Sequence, residues 1–188
     1  VGISMGGGLS LGLTLKFPDS IERLILVDSY GLGKKIPGGI LSYLTVHIPL
    51  LNDLLRFTLQ RQKKLVQWGL RNLIHNTNAI NEELVSDAWQ SLREAGRHKT
   101  WRSFLKHEIN PGGFRTNYVN QLKDVHKPTL IIHGKNDRLF PVKWAERAHQ
   151  LMPESKLKII PNCGHIPPRE KPEEFNRLVI EYLRKTVM

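Results

Sequence analysis

Cysteine is almost absent from the sequence: Cys163 is the one thiol, so no disulfide can form within the chain. Long apolar runs are also missing. The most apolar stretch, residues 36–55, is interrupted by proline, glycine, histidine and aspartate and falls short of the roughly 20 apolar residues that span a bilayer. No basic and apolar leader of the secretory kind opens the sequence. These absences predict a cytoplasmic protein without a transmembrane segment.

Acidic residues are few, 17 against 28 Lys and Arg, and the formal net charge is +11. Such a charge attracts anions. However, only 7% of the residues are aromatic, with no pattern of basic and stacking side chains, so nucleic acid is not expected as a partner. An anionic substrate or a membrane surface stays open as a partner of the central basic residues, although a solvated surface is their commoner role. These residues are Arg61, Lys63, Lys64, Arg93, Arg97, Lys99, Arg102 and Lys106.

Strand and helix patterns alternate in the outer parts of the chain. Short apolar runs at 21–27, 129–133 and, more weakly, 156–160 are typical of strands buried in a parallel sheet. Helical patterns cover 8–17, 144–152 and 172–185. This alternation predicts an α/β fold built on a parallel sheet.

The middle of the chain, residues 31–115, contains no convincing strand and carries most of the excess positive charge. Its leucine, tryptophan and isoleucine residues recur at three- and four-residue intervals, which predicts helices. We therefore expect an all-helical insertion between two parts of one core domain, residues 1–30 and 116–188. The leucine-rich segment 50–59 is expected to pack the insertion rather than to line a pocket.

The segment Gly2-Ile3-Ser4-Met5-Gly6 fits the pattern G-x-S-x-G and precedes an apolar, glycine-rich stretch that can begin a helix. In this pattern the serine occupies a sharp turn from strand to helix, and small residues on either side allow the turn to close. The Met5 N–H would then lie at the helix start, where it can stabilise a developing oxyanion. A glycine-rich turn with a buried serine is the alternative interpretation.

A serine nucleophile needs a base, and the base needs an acid that orients it. Asp137 follows the predicted strand 129–133, and His165 follows the predicted strand 156–160, so the chain order is serine, aspartate, histidine. Each residue also has a simpler interpretation, because Asp137 can cap a turn or the next helix and His165 can fill a polar loop. The joint arrangement favours a catalytic triad of Ser4, Asp137 and His165.

Four segments together resemble the α/β-hydrolase superfamily: VGISMGG, KFPDSIERLILVDS, PTLIIHGKNDRLFPV and NCGHIPPREKPEEFNRLVIEYL. The resemblance implies the C-terminal part of an α/β-hydrolase sheet, with 31–115 as a cap or lid over the pocket. It also implies that Ser4 is the nucleophile, His165 the general base and then acid, Asp137 the orienting acid, and Met5 one oxyanion donor. Asp28, at the end of the strand LILVD, is the second candidate for the acid. No metal or organic cofactor is implied.

In that superfamily several strands and the second oxyanion donor precede the nucleophile, whereas this chain begins three residues before Ser4. A sheet without those strands exposes an apolar edge. We therefore expect an upstream portion in the natural protein, and we expect the 188 residues alone to fold poorly or to be inactive.

The sequence is also similar to carbon–carbon bond hydrolases that cleave ring-fission products of aromatic compounds. Those enzymes place a carboxylate-binding arginine in the cap and often a tryptophan after the histidine. Here the aligned positions are Ala88, beside Trp89, and Ile166. The main prediction is therefore a carboxylic-ester hydrolase acting on a small ester or acyl substrate. The alternatives are a carbon–carbon bond hydrolase and a ligand-binding member of the fold without turnover.

Overall fold

The computed structural model describes residues 1–95 and 99–184, which form two compact units. Unit 1 contains Val1–Gly33, Leu73–Asn76 and the chain from Asn117 to the end of the described residues. Unit 2 contains Lys34–Asn72 and Thr77–Thr116. Unit 2 therefore differs from the predicted insertion 31–115 at both ends, and four residues from its middle belong to unit 1.

The helices and strands follow one another in mixed order. The strands are β1 (Gly2–Ile3), β2 (Leu24–Val27), β3 (Ile109–Asn110), β4 (Gly113–Phe114), β5 (Thr129–Gly134) and β6 (Ser155–Ile160). The helices are α1 (Met5–Lys16), α2 (Gly39–His47), α3 (Pro49–Arg61), α4 (Lys63–Leu70), α5 (Glu82–Ala95), α6 (Lys99–Glu108), α7 (Lys143–Leu151), α8 (Pro167–Glu170) and α9 (Pro172–Arg184). Within the described part of the chain, no helix combines the length and the apolar character needed to cross a membrane.

Unit 1 is built on a parallel sheet with the order β1-β2-β5-β6. Every residue of β2 and β5 is buried, as the apolar runs predict for strands covered on both faces. In a parallel sheet the carboxyl ends of the strands meet at one edge. Ser4 follows β1 and Asp28 follows β2, and the turn that carries Asp137 follows β5. The sheet topology therefore brings these residues to the same edge.

Helix α9 covers one face of this sheet. Its apolar residues recur at helical spacing and pack against the strands, so that Leu178 and Tyr182 join the core of Ile25, Val27 and Leu130. Cys163 is buried in the same core. The last helical pattern was predicted to reach Lys185, which lies outside the described residues.

Unit 2 departs from the expected all-helical insertion at one place. Strands β3 and β4 form a short antiparallel hairpin in which Ile109 pairs with Phe114. The turn is closed by the Asn110 side chain, which accepts the Gly112 N–H, and by Gly113, whose φ of 121° suits glycine. Two-residue strands leave too short an alternation to be recognised in a sequence.

The leucine-rich segment 50–59 does not pack unit 2 as predicted. Helix α3 contains no buried residue, and Leu50 and Leu54 are 76% and 59% exposed. One small core cluster of unit 2 instead combines Ile36, Val46 and Ile109 with partly buried hydrophobic neighbours.

Candidate active site

Ser4 occupies the turn between β1 and α1 with φ 51° and ψ −121°. This left-handed conformation strains a residue that has a Cβ, by about 1–3 kcal/mol. Backbone hydrogen bonds hold the turn: the Ser4 N–H donates to Val27 O at 2.9 Å, and the Ser4 carbonyl accepts the N–H groups of Gly7, Gly8 and Tyr30 at 3.0, 3.3 and 2.9 Å. The strained serine is thus tied to the helix that follows it and to the chain after β2.

The two glycines of the G-x-S-x-G pattern have different surroundings. A Cβ on Gly2 would lie 2.3 Å from the Gly6 carbonyl oxygen and 2.6 Å from Ser10 Oγ. A Cβ on Gly6 would meet nothing within 4 Å. Among the described residues nothing crowds position 6, so the expectation that small residues are needed on both sides of Ser4 is supported at Gly2 and not at Gly6.

We expect Gly2→Ala to destabilise the protein by about 1–3 kcal/mol or more, since backbone must move to admit the methyl group. Gly6→Ala is the matched control and should be neutral or stabilising by up to about 1 kcal/mol, because alanine favours a helix over glycine. Urea unfolding of both variants at the protein's natural length checks this difference. Equal destabilisation by the two substitutions would contradict the described turn.

His165 bridges Ser4 and Asp137. Its Nε2 lies 2.8 Å from Ser4 Oγ and its Nδ1 lies 2.7 Å from Asp137 Oδ2. A carboxylate only accepts hydrogen bonds, so Nδ1 carries the proton and Nε2 is left to accept the Ser4 hydroxyl. The imidazole is buried, with 4% exposure, and packs against the edge of Phe140 at a centroid distance of 5.1 Å. The structure therefore brings the three predicted residues together in the order serine, histidine, aspartate.

Asp137 uses its two oxygens for different tasks. Oδ1 accepts the N–H groups of Leu139 and Phe140 at 2.7 and 3.1 Å, and Oδ2 binds His165. Both interpretations of Asp137, as a turn cap and as a partner of His165, hold at once. Burial alone would raise the pKa of this carboxyl, but the hydrogen bond and charge of His165 outweigh it and the pKa is lowered. Asp137 is therefore the ionised acid at neutral pH.

Asp28, the second candidate for the acid, is fully buried beside Asp137 and makes no hydrogen bond to His165 among the described residues. Its Oδ1 accepts the Gly134 N–H at 3.0 Å, and its Oδ2 has no hydrogen-bond partner there. Burial, followed by the charge of Asp137, raises the pKa of Asp28 well above its usual value. Asp28 therefore favours the protonated, uncharged form more strongly than an ordinary aspartate does.

His133 completes this buried group, and sequence reasoning did not assign it a role. Its Nε2 donates to the Phe140 carbonyl at 2.9 Å and lies 3.5 Å from Asp137 Oδ2 and 3.6 Å from Asp28 Oδ1. Burial lowers the pKa of His133, so the ring is neutral. The available signal was its position, at the end of an apolar strand adjacent to the strand that Asp28 follows.

Ligand atoms of Asp28, His133 and Asp137 lie within 4.8 Å of one another, which is close enough for a metal site. However, the Nε2 atom that faces both carboxyl groups carries the proton that binds Phe140, so it has no free lone pair for a cation. The three residues are better described as a hydrogen-bonding group behind Asp137.

Cys163 lies two residues before His165 and is fully buried. Burial, with a smaller effect from the charge of Glu170, raises the pKa of its thiol to about 12. Because the thiolate is the reactive form, Cys163 is inert at neutral pH.

Met5 is the first residue of α1. The first N–H groups of a helix have no acceptor within the helix, and the helix dipole favours negative charge at this end. The Met5 N–H is thus suited to an oxyanion formed next to Ser4.

Four of the eight basic residues singled out in unit 2 have partners within the described part of that unit: Arg61, Lys63, Arg93 and Arg102. Lys63 pairs with Glu82, and Arg102 lies 3.8 Å from Asp53. The Arg61 and Arg93 guanidinium groups lie over aromatic rings, at 3.7 and 4.9 Å from the ring centroids. Arg97 lies outside the described residues. A cleft of about 400 Å³ in unit 2 is lined by Gln60, Ser86, Trp89, Gln90, Arg93 and Glu94, and so does not include Ser4 or His165.

The sequence is similar to those of known hydrolases. An uncharacterized hydrolase, YugF, of Bacillus subtilis is 28% identical over 98% of this chain, which spans 64% of that relative. A 2-hydroxy-6-oxononadienedioate/2-hydroxy-6-oxononatrienedioate hydrolase of Burkholderia vietnamiensis is 32% identical over 98% of this chain and 62% of the relative. The chain thus spans less than two thirds of these relatives.

The fold is likewise similar to solved structures. A meta-cleavage product hydrolase of Pseudomonas fluorescens IP01 superposes with a TM-score of 0.74 at 21% identity, over 98% of this chain and 63% of that protein. The sequence profile described as the alpha/beta hydrolase fold matches residues 1–172, which include Ser4, Asp137 and His165. With its parallel sheet, its serine turn and this match over most of its length, the chain belongs to the alpha/beta hydrolase family.

Proposed function

We propose that the protein is a serine hydrolase that cleaves a carboxylic ester through an acyl-enzyme on Ser4. The observation that carries this proposal is the 2.8 Å contact between His165 Nε2 and Ser4 Oγ, with Asp137 on the opposite nitrogen of the ring. A serine hydroxyl is a weak nucleophile near pH 7, and a histidine held in this tautomer is the group that activates it.

In the proposed first step, Ser4 Oγ attacks the substrate carbonyl carbon while its proton passes to His165 Nε2. The buried Asp137 carboxylate stabilises the imidazolium that forms. Negative charge develops on the carbonyl oxygen, and the Met5 N–H is the donor from this chain that stabilises it. The imidazolium then protonates the alcohol oxygen as the carbon–oxygen bond breaks, which leaves the acyl group on Ser4.

In the second half, His165 takes a proton from a water molecule, and the resulting nucleophile attacks the acyl carbon. Collapse of the intermediate returns the proton to Ser4 and releases the acid. Each step transfers one proton as one bond to the acyl carbon forms or breaks. At the end, Ser4, His165 and Asp137 have the protonation states with which they began. The proposal for the whole protein also includes a second oxyanion donor and a cap role for unit 2. Its substrate contributes an acyl group and an alcohol group.

A carbon–carbon bond hydrolase is the second candidate, and the Burkholderia relative favours it by its name. The same Ser4 would attack a ketone carbonyl, and the leaving group would be a stabilised carbanion rather than an alcohol. Ala88 and Ile166 argue for the ester, because they stand where such enzymes are expected to hold an arginine and a tryptophan.

Substrate panels distinguish the two. The protein at its natural length would be assayed with p-nitrophenyl esters of increasing acyl length and with a 2-hydroxy-6-oxodienoate, and kcat/KM compared. We expect the ester series to be cleaved with a clear optimum in acyl length. Faster cleavage of the dienoate would replace the ester proposal with the second candidate. Binding of such compounds without turnover of any of them would overturn both in favour of a ligand-binding protein.

A further inference from the structure

Glu170, at the end of α8, is buried with 6% exposure, yet it has no part in the mechanism above. Its Oε1 accepts the Gly164 N–H at 2.8 Å. Its Oε2 accepts the N–H groups of His75 and Asn76 at 2.8 and 3.0 Å. One carboxylate thus binds two separate segments of backbone, and one of these directly precedes His165.

The segment 73–76 also binds His165 itself. The His165 N–H donates to the Leu73 carbonyl at 2.7 Å. The approach is close, because a Cβ on Gly164 would lie 2.6 Å from Leu73 O and 2.8 Å from the His75 nitrogen. Glycine at position 164 therefore allows segment 73–76 to lie directly against the histidine loop.

A carboxylate is well suited to this position. All of its hydrogen-bonding sites are acceptors, so it satisfies the N–H groups on both sides at once. Glutamine has the same shape but carries an NH₂ group in place of one oxygen. In either orientation that NH₂ group would face a backbone N–H, so one of the two segments would lose its partner.

We infer that Glu170 is a positioning residue for His165: its carboxylate holds segment 73–76 and the Gly164 backbone together, and this fixes the histidine between Ser4 and Asp137. The inference rests on the proposed role of His165. The hydrogen bonds through which Glu170 acts are all backbone bonds, so Leu73, His75 and Asn76 contribute by conformation rather than by side-chain chemistry. This explains how a segment far from Ser4, Asp137 and His165 in the sequence can affect their geometry.

The test is Glu170→Gln in the protein at its natural length, with Glu108→Gln as the matched control. Glu108 is equally buried, at 6% exposure, and accepts the backbone N–H and hydroxyl of Thr116 at 3.0 and 2.9 Å. Both variants lose a buried carboxylate, so both should lower the stability to urea. Only Glu170→Gln should shift or broaden the downfield proton resonance of His165 Nδ1–H, which is identified by its loss in His165→Gln.

Turnover gives a second readout. Glu170→Gln should lower kcat by about 10- to 100-fold with KM little changed, since displacement of a reacting group by about 1 Å is sufficient for a loss of that size. An unchanged Nδ1–H resonance in folded Glu170→Gln would overturn the inference, as would an equal change in Glu108→Gln. If the unsubstituted protein cleaves no substrate, the proposed function fails, and the resonance still decides the position of His165.

Amide hydrogen exchange of the unsubstituted protein decides the case in which Glu170→Gln does not fold. If the Glu170 carboxylate holds both segments together, they open as one unit. The amides of His75, Asn76, Gly164 and His165 should then exchange with the same opening free energy. Exchange of 75–76 independently of 164–165 would overturn the inference.

Discussion

Ser4→Ala is expected to lower kcat by about 10³- to 10⁶-fold on whichever substrate the natural-length protein cleaves. The substitution removes the oxygen that lies 2.8 Å from His165 Nε2, so no acyl-enzyme can form. Substrate binding and the Met5 N–H are untouched, which is why KM should change little and some catalysis should persist. Steady-state kinetics over the substrate panel provides the measurement.

Ser20→Ala is the control for that experiment, because Ser20 is an exposed serine in the short turn before β2. It should keep full activity. Mass spectrometry after reaction with a fluorophosphonate should place the label on Ser4 in the unsubstituted protein and in Ser20→Ala. Retention of more than about a tenth of the activity in Ser4→Ala would exclude Ser4 as the nucleophile.

Asp137→Asn should lower kcat by about 10⁴-fold, as expected when the acid of such a triad becomes an amide. Nearly the same shape is kept, but the amide's NH₂ group can turn toward His165 Nδ1 and favour the tautomer with the proton on Nε2. That tautomer cannot accept the Ser4 proton. The kinetics of folded Asp137→Asn, with the fold checked by circular dichroism, test this expectation.

Asp28→Asn is the contrasting variant in the same buried group. Because its raised pKa favours the uncharged form of Asp28 in the folded protein, an amide of equal size should keep kcat within a few-fold. If Asp28→Asn reduced kcat as strongly as Asp137→Asn does, Asp28 would be an ionised partner of the triad and the assignment of Asp137 as the charged acid would be wrong.

The same pair predicts opposite effects of pH on stability. Unfolded Asp28 ionises with a pKa near 3.9, whereas the raised pKa of the folded form lets it hold its proton to higher pH. The folded state therefore binds the extra proton, and this contribution destabilises the protein increasingly as pH rises above about 4. Asp28→Asn should remove this decline, which urea unfolding between pH 4 and 8 would detect. The lowered pKa of Asp137 acts in the other direction: its stabilisation is present above about pH 4 and is lost on acidification.

The sequence was sufficient for the elements whose signals are local. Apolar runs marked β2 and β5, and a five-residue pattern marked the turn at Ser4. Chain order then identified Asp137 and His165, because a parallel sheet collects its strand ends at one edge. For Ser4, Asp137 and His165, their positions after strands of one parallel sheet therefore predict that the three side chains lie close together.

What the sequence did not predict depends on pairs that are distant along the chain. Asp28 and His133 are neighbours only because β2 pairs with β5. The contacts between Glu170 and 75–76 connect residues 94 and 95 positions apart and use backbone groups, which have no residue signature. The G-x-S-x-G pattern contains two glycines, Gly2 and Gly6, but only the folded structure shows that Gly2 is the crowded one.

The membership of segment 73–76 in unit 1 has a consequence for protein engineering. Unit 2 is not one continuous stretch of chain, because it is interrupted by segment 73–76. In that segment the backbone groups of Leu73, His75 and Asn76 bind the His165 backbone or the Glu170 carboxylate. A chimera in which residues 34–116 were exchanged as one block would replace these contacts together with the helices. Grafts that exchange 34–72 and 77–116 separately, and retain 73–76, keep the histidine loop in its native surroundings while the rest of unit 2 varies.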